Sequence, residues 1–181
     1  MQAVYRWIKK NDSDAYVVFI GPCMAKKDEV KYYNEDIAVI TFEELNAIFD
    51  AKGIDPNECE EEESMATSYG RRFSGSGGVA ASVAKAVNEM NYDKDIKLKP
   101  CSGVKECKVG LAMLKAGKLP EDIIEGMACE GGCIAGPGAI ELLNKLKAAR
   151  MKKIKGRDED NITDMLTSVD FMDVPMHRDK Q

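Results

Sequence analysis

The chain has 181 residues, of which 44% are hydrophobic and 31% charged, so it is long enough to bury a core. Its formal net charge is -5 and its acidic and basic residues are interspersed, so nucleic acid is not an expected partner. No apolar run approaches the roughly 20 residues that span a bilayer, and the N-terminus lacks the features of a signal peptide, so we expect a cytoplasmic protein that does not bind membranes.

Helix and strand patterns alternate along the chain, which predicts an α/β fold with a mostly parallel sheet flanked by helices. Residues 2–10 are amphipathic and predict a helix. Residues 15–21 (AYVVFIG) form an apolar run typical of a strand buried on both faces. Thr41 and Glu44 form a predicted capping box for a helix that Gly53 ends. The other predictions are a helix over 42–51, strands over 36–42, 96–101 and 122–128, a long loop over 55–78, and helices over 79–90, 104–118 and 139–155.

The region beyond residue 156 is polar, and we predict a short helix and a frayed end there. The domain prediction is therefore one α/β lobe over residues 1–156 and a polar C-terminal extension over residues 157–181. The one histidine, His177, lies in this extension. A hydrolase with a catalytic histidine and a histidine-rich zinc site are therefore not expected.

The cysteines are the most informative residues of the chain. In a reducing compartment they are expected to be metal ligands or buried small side chains rather than disulfides. Three of them follow predicted strands at glycine-containing loops. The six cysteines are Cys23, Cys59, Cys101, Cys107, Cys129 and Cys133.

Cys23, Cys129 and Cys133 are candidates for a shared metal centre. Loops converge at the carboxyl ends of parallel strands, so these three thiols could meet there. Thiolates favour zinc, copper(I) or iron-sulfur clusters, and glycines allow the backbone to approach a bulky cluster. By spacing alone, Cys129 and Cys133 are equally well explained as a chance pair of buried thiols.

Two stretches of the chain carry a family resemblance. FIGPCMAKKDE (residues 19–29) and EGMACEGGCIAGPG (residues 125–138) resemble the second and third cluster-binding signatures of the iron-only (FeFe) hydrogenases. The chain between them resembles the same family, so the resemblance runs from about Tyr16 to Gly138. It implies one lobe of the catalytic H-cluster domain and, for the complete protein, reversible reduction of protons to dihydrogen.

The resemblance also implies roles for individual residues. Cys23, Cys129 and Cys133 would be the metal ligands, holding a four-iron four-sulfur cluster. Cys133 would also bridge to a two-iron subsite with carbonyl and cyanide ligands. Lys26 would donate a hydrogen bond to a cyanide, and Met127 would pack beside the cluster. Lys26 and Cys133 are thus the expected catalytic residues.

The chain departs from the family in what it lacks. The first signature, a TSCCPxW-like stretch, does not occur in these residues, nor do upstream ferredoxin-like domains. We therefore interpret the chain as a C-terminal piece of a longer protein. Its expected partners are the N-terminal part of that protein and a ferredoxin-type electron donor or signalling module. The isolated piece is expected to be inactive, without the two-iron subsite and with an incomplete or absent four-iron cluster.

Two substitutions favour a second hypothesis. Gly21 and Glu130 stand where the resemblance places methionine and proline in catalytic members. These changes resemble a subgroup proposed to sense hydrogen, so the alternative is a hydrogen-sensing or iron-sulfur-binding relative without significant turnover. A zinc-stabilised α/β domain is less supported because C-x2-C spacings are missing. Glu29 is expected to pair with a base or hold its loop, whereas Cys101 and Cys107 are expected to be buried and Cys59 exposed.

Overall fold

The computed structural model describes residues 1–33, 36–60, 66–92, 94–155, 161–171 and 173–174. The described chain is an α/β protein, as predicted. No helix in these ranges has both the length and the apolar character that a membrane crossing requires. The elements are α1 (Gln2–Asn11), β1 (Val17–Ile20), α2 (Ala25–Tyr33), β2 (Ile37–Ile40), α3 (Phe42–Lys52), α4 (Ser68–Arg72), α5 (Gly78–Glu89), β3 (Leu98–Ser102), α6 (Val104–Lys115), β4 (Ile123–Met127), α7 (Leu143–Ile154) and α8 (Ile162–Ser168), with 3-10 turns at Pro56–Glu58 and Cys133–Ala135.

The chain divides into two compact units. The first contains Met1–Glu62, Pro137–Ile140 and Leu166–Gln181, and the second contains Glu63–Gly136 and Glu141–Met165. The predicted boundary after residue 156 lies outside the described residues, so that division of the chain stays a prediction.

The first unit is built on a parallel pair of strands. β1 pairs with β2 in a register that runs from Val17 opposite Ile37 to Ile20 opposite Ile40. The prediction that β1 is buried on both faces is wrong, because Val18 is 42% exposed and Ile20 is 43% exposed. Val18 and Ile20 alternate with the less exposed Val17 and Phe19, so they lie on the same face of the two-stranded sheet. The described residues leave that face partly exposed to solvent.

The N-terminus of α3 confirms the predicted capping box. The Glu44 backbone N–H donates to Thr41 Oγ1 (3.1 Å), and the Thr41 N–H donates to Glu44 Oε2 (2.8 Å). The helix ends at Gly53, whose φ of 65° is a left-handed conformation that glycine adopts without strain. The helix over this segment is therefore predicted almost to the residue.

The short helix predicted beyond residue 156 is present as α8, and the described residues that follow it belong to the first unit. Trp7 Nε1 donates to the Val169 carbonyl oxygen (2.8 Å), and the Trp7 ring lies 6.4 Å from that of Phe171. Val174 is buried. Val169 and Phe171 thus contact α1, whereas most of the predicted frayed end lies outside the described residues and stays a prediction.

The second unit is built on the parallel pair β3 and β4. Their register runs from Leu98 opposite Ile123 to Ser102 opposite Met127, and α5 and α6 both pack on this pair. Gly110 allows α6 to approach β3 closely, since a Cβ there would lie 3.0 Å from Cys101 Sγ. The carboxyl ends of β3 and β4 thus meet at one edge of the sheet.

Most predicted bounds differ from the structure by a few residues, and two predictions differ by more. The long loop over 55–78 contains the 3-10 turn and α4, which has five residues and is too short to show a helical period. α7 begins at Leu143 rather than at residue 139. The reason is that residues 137–140 belong to the first unit, where the Gly138 N–H donates to the Pro22 carbonyl oxygen (3.0 Å).

Candidate functional site

Cys23 lies in the turn between β1 and α2, at the carboxyl end of β1 as predicted. The turn is fixed at its start because the Gly21 N–H donates to the Ile40 carbonyl oxygen (3.1 Å). The Cys23 carbonyl oxygen accepts from the Lys26 N–H (3.3 Å). The Cys23 side chain is half-buried. The structure therefore holds this thiol on an ordered turn rather than on a free loop.

Lys26 is ion-paired on its own helix. Its ammonium group donates to Glu29 Oε2 three residues later, so Glu29 pairs with a base as expected. An ammonium group has three N–H donors, so one carboxylate partner leaves donors for another acceptor. The neighbouring Lys27 pairs instead with Glu44, and the hydrogen bond from Lys27 is the main cause of a lowered pKa of Glu44.

Gly21 is buried against an aromatic ring. A Cβ on Gly21 would lie 3.0 Å from two carbon atoms of the Phe19 ring. A larger residue at position 21 would have to displace that ring. In this chain the ring of Phe19 therefore takes up the space beside the turn that carries Cys23.

Cys129 and Cys133 lie in the segment that follows β4, which we call the cysteine loop (residues 129–133). Its turn is closed by the Gly132 N–H, which donates to the Cys129 carbonyl oxygen (3.0 Å). The Cys133 carbonyl oxygen accepts from the Gly136 N–H (2.9 Å). Cys129 is half-buried, Cys133 is exposed, and Met127 before them is buried.

A second loop lies directly against the cysteine loop. We call residues 73–78 (FSGSGG) the glycine loop. The Ile134 N–H donates to the Ser74 carbonyl oxygen (2.7 Å), and the Ser76 N–H donates to the Gly131 carbonyl oxygen (3.4 Å). Gly132 has a φ of 98°, and a Cβ on it would lie 2.5 Å from the Ser76 nitrogen. The two loops are thus in backbone contact that a side chain would prevent.

The end of β3 holds the other side of the cysteine loop. The Gly131 N–H donates to Ser102 Oγ (2.7 Å), and the Gly103 N–H donates to the Met127 carbonyl oxygen (2.8 Å). Glu130 lies over Gly103, where a Cβ would be 2.8 Å from the Glu130 Cγ. The loop is therefore fixed from both the glycine loop and the end of β3.

The donors of the site suit a soft metal, but the structure gathers no complete ligand set. In the described ranges, no three or more His, Cys, Asp or Glu side chains are grouped so that they could hold a metal ion. Cys23 belongs to the first unit, and Cys129 and Cys133 belong to the second. Their predicted meeting stays a prediction. Thiols on tightly held glycine-rich backbone fit an iron-sulfur cluster better than a hard cation.

The other cysteines behave largely as expected. Cys101 is buried, and this burial is the main cause of a raised pKa, which keeps the thiol protonated. Cys107 is half-buried rather than buried, and its Sγ lies 3.7 Å from the Met127 carbonyl oxygen. Cys59 is exposed. His177 lies outside the described residues.

Sequence reasoning missed Ser102 and Glu125. Ser102 supports the cysteine loop through its hydroxyl group, and serine at the end of a strand gives no local signal for that contact. Glu125 did give a signal, because it is an acid within the apolar run of β4 and a buried carboxylate requires hydrogen-bond donors.

Comparisons with known proteins agree with the fold and the motifs. Residues 1–137 match the family described as iron only hydrogenase large subunit, C-terminal domain. A comparison with curated proteins finds no match. Among solved structures, the chain is similar to HydA(deltaEFG), from work described as revealing stepwise FeFe-hydrogenase H-cluster assembly, with a TM-score of 0.57 and 17% identity over 97% of this chain.

The chain spans 64% of that HydA chain, and at this identity the similarity shows the fold. The family match is broader evidence, because it covers well over half of the 181 residues. This chain therefore belongs to the family of iron-only hydrogenase large subunits, within their C-terminal domain.

Proposed function

We propose that the chain is part of an FeFe-hydrogenase catalytic domain that binds the H-cluster and, when complete, catalyses the reversible reduction of protons to dihydrogen. The observation that carries the proposal is the cysteine loop: two thiols at the carboxyl end of β4, on backbone fixed by the glycine loop and Ser102. Family membership supports the same reading.

The ligands of the cluster would be Cys23, Cys129 and Cys133, with Cys133 bridging to the two-iron subsite. When bound, the cluster would supply electron transfer and the bond chemistry of hydrogen. The role of the chain itself would be to present thiolates on backbone that hydrogen bonds hold in place. Because the loop already has its conformation before the cluster binds, binding does not cost the conformational entropy of ordering the loop.

Lys26 would hold an anionic ligand of the two-iron subsite. Its ammonium group is half-buried and already oriented by Glu29. A compact charge held in this way retains N–H donors for a second acceptor, such as the nitrogen of a cyanide. Met127 is buried at the end of β4 and would pack beside the cluster, where it would exclude water.

We also propose that the N-terminal part of the same domain covers an apolar face of α6. Val104, Leu111 and Leu114 are more than half exposed, and their spacing places them on one stripe of the helix. The chain spans only 64% of the HydA chain, and the counterparts of the remaining HydA residues would cover this stripe in the complete protein. Electrons would come from a ferredoxin-type donor or signalling module.

A second candidate function is hydrogen sensing without significant turnover. Two observations favour it: the ring of Phe19 fills the space beside Gly21, and Glu130 adds a carboxylate to the cysteine loop over Gly103. A negative charge close to a cluster stabilises its oxidised state. Such a protein would bind the cluster as a responsive group rather than as a catalyst.

The test uses the full-length protein matured with its two-iron subsite. Infrared bands of carbonyl and cyanide ligands are expected in the parent and in Cys59→Ser, a matched control at an exposed thiol. Cys133→Ser should lose these bands. Unchanged bands in Cys133→Ser would overturn the bridging role. A hydrogen-evolution assay on the parent separates the two candidates, because bands without turnover favour the sensor.

A further inference from the structure

Glu125 is a buried acid for which the proposed function has no role. It lies within β4, opposite Pro100 in the sheet register, and is 8% exposed. Its Oε2 accepts from the Gly77 N–H, and its Oε1 accepts from the N–H groups of Val79 (2.9 Å) and Ala80 (3.4 Å). The carboxylate is thus bound by backbone donors from one short segment.

This contact caps α5 from another element. The first N–H groups of a helix have no partner within the helix, and the residue before it usually supplies a side-chain acceptor. In α5 that residue is Gly77, which has no side chain and makes no such cap. Glu125 replaces the missing cap, and its charge also interacts favourably with the helix dipole. The contact therefore fixes residues 77–80 onto β4.

The segment that Glu125 fixes continues directly into the part of the glycine loop that contacts the cysteine loop. Ser76, which donates to Gly131, immediately precedes Gly77. Ser74, two residues earlier, accepts from Ile134. A release of Gly77 from Glu125 would therefore loosen both hydrogen bonds that hold the cysteine loop from this side.

We propose that Glu125 is a positioning residue: by holding the glycine loop on β4, it keeps the cysteine loop in the conformation that presents Cys129 and Cys133. That this conformation serves to bind a cluster rests on the proposed function. The effect of Glu125 on the loop does not, because every contact involved joins two residues of this chain.

The chain offers a matched control for the chemistry of Glu125. Glu89 is another buried carboxylate, with a side chain 7% exposed, and it caps α8 by accepting from the N–H groups of Ile162 (3.1 Å) and Thr163 (2.9 Å). It belongs to the same unit, and its hydrogen bonds and its ion pair with Lys85 go to residues outside both loops. Glu125→Gln and Glu89→Gln therefore remove the same charge from the same kind of cap.

The test is amide hydrogen exchange on the whole chain, which reports local opening residue by residue. Glu125→Gln should speed exchange at the Ser76 and Ile134 amides, which donate the two hydrogen bonds between the loops, by about tenfold, the ratio expected when a charge-assisted hydrogen bond is weakened. Glu89→Gln should leave these two amides unchanged and speed exchange at Ile162 and Thr163 instead.

The positioning role is overturned if the Ser76 and Ile134 amides exchange equally fast in Glu125→Gln and in the parent, or equally faster in both variants. If Glu125→Gln does not fold, Glu125→Asp keeps the charge but shortens its reach, and the same two amides are compared. Faster exchange there supports the role, and unchanged exchange overturns it.

A separate readout distinguishes this inference from the proposed function. Iron-thiolate absorption of the matured full-length protein should weaken in Glu125→Gln and persist in Glu89→Gln. If the parent shows no such absorption but Glu125→Gln still loosens the cysteine loop, the cluster-binding function fails and the positioning role stands. If the parent binds iron but the Ser76 and Ile134 amides exchange at the same rate in Glu125→Gln as in the parent, the positioning role fails and the proposed function stands.

Discussion

Gly132 stands at a position where a side chain cannot be accommodated without backbone movement. Its φ is 98°, and a Cβ would lie 2.5 Å from the Ser76 nitrogen and 2.7 Å from the Gly75 carbonyl carbon. Both neighbours are backbone atoms, which cannot turn aside as a flexible side chain would. The close approach of the two loops therefore depends on this glycine.

We expect Gly132→Ala to lower the free energy of unfolding by roughly 2–4 kcal/mol, because the strain of the positive φ adds to a steric clash with backbone. Gly117→Ala is the matched control. It also has a positive φ, of 65°, but no atom lies within 4 Å of its Cβ position, so it should lose about 1 kcal/mol. Denaturant unfolding measures both, and equal losses would show that the loops are not in tight contact.

At the residue scale, the sequence predicts where the cysteines lie but not which residues form hydrogen bonds to the cysteine loop. Cys23 and Cys129 were predicted at strand ends from the apolar runs before them, and both lie there. The partners of the cysteine loop come from distant parts of the chain: Ser102 from β3 and Ser74 from the glycine loop. No local pattern encodes such contacts, because they depend on how the strands pair.

At the scale of elements, the N-terminus of α8 is held by Glu89. Burial alone would raise the pKa of this carboxyl group. The hydrogen bonds from the Thr163 and Ile162 backbone, the Thr163 hydroxyl group and Lys85 together outweigh it, so the pKa falls below its ordinary value of 4.5. A carboxyl group with a lowered pKa stabilises the fold above its unfolded pKa and loses that contribution as the pH falls through the folded pKa.

Glu89→Gln should therefore cost about 1 kcal/mol of unfolding free energy at neutral pH, the typical value of a helix cap. The difference from the parent should shrink as the pH falls below 4.5 and vanish once Glu89 is protonated, because a neutral carboxyl group resembles the amide. Unfolding curves at a series of pH values measure this. A pH-independent difference would mean that the charge of Glu89 does not matter.

Elements with local signals were predicted well, and elements set by distant contacts were not. The capping box and Gly53 fix α3 from residues within the helix and its ends, so its bounds were predictable. The start of α7 was not, because Gly138 is bound to Pro22, which is more than a hundred residues away. The exposure of β1 also depends on what covers the sheet, which an apolar run alone does not reveal.

On the scale of the whole molecule, the described chain buries few large apolar side chains and exposes many. Each of its sheets has two parallel strands, whereas parallel sheets are typically covered on both faces. This balance fits a chain that spans 64% of the HydA chain. The buried apolar residues in the described ranges are Ile37, Ala80, Cys101, Met127, Ile154 and Val174.

The exposed stripe of α6 is therefore expected to make the chain bind hydrophobic dyes and associate with itself. Leu111 is 57% exposed and Leu114 is 54% exposed. The double variant Leu111→Glu, Leu114→Glu should reduce dye fluorescence and the associated species seen by analytical ultracentrifugation. It should change the free energy of unfolding by no more than about 0.5 kcal/mol, because exposed positions contribute little to folding.

Ile154→Ala is the control for a buried apolar residue in the same unit. Ile154 is 2% exposed, so its truncation should lower the free energy of unfolding by roughly 2–5 kcal/mol. It should leave the stripe intact, so any folded Ile154→Ala protein should bind the dye at least as strongly as the parent. A large stability loss in the α6 double variant would show that Leu111 and Leu114 are covered within this chain and do not form a surface for the rest of the domain.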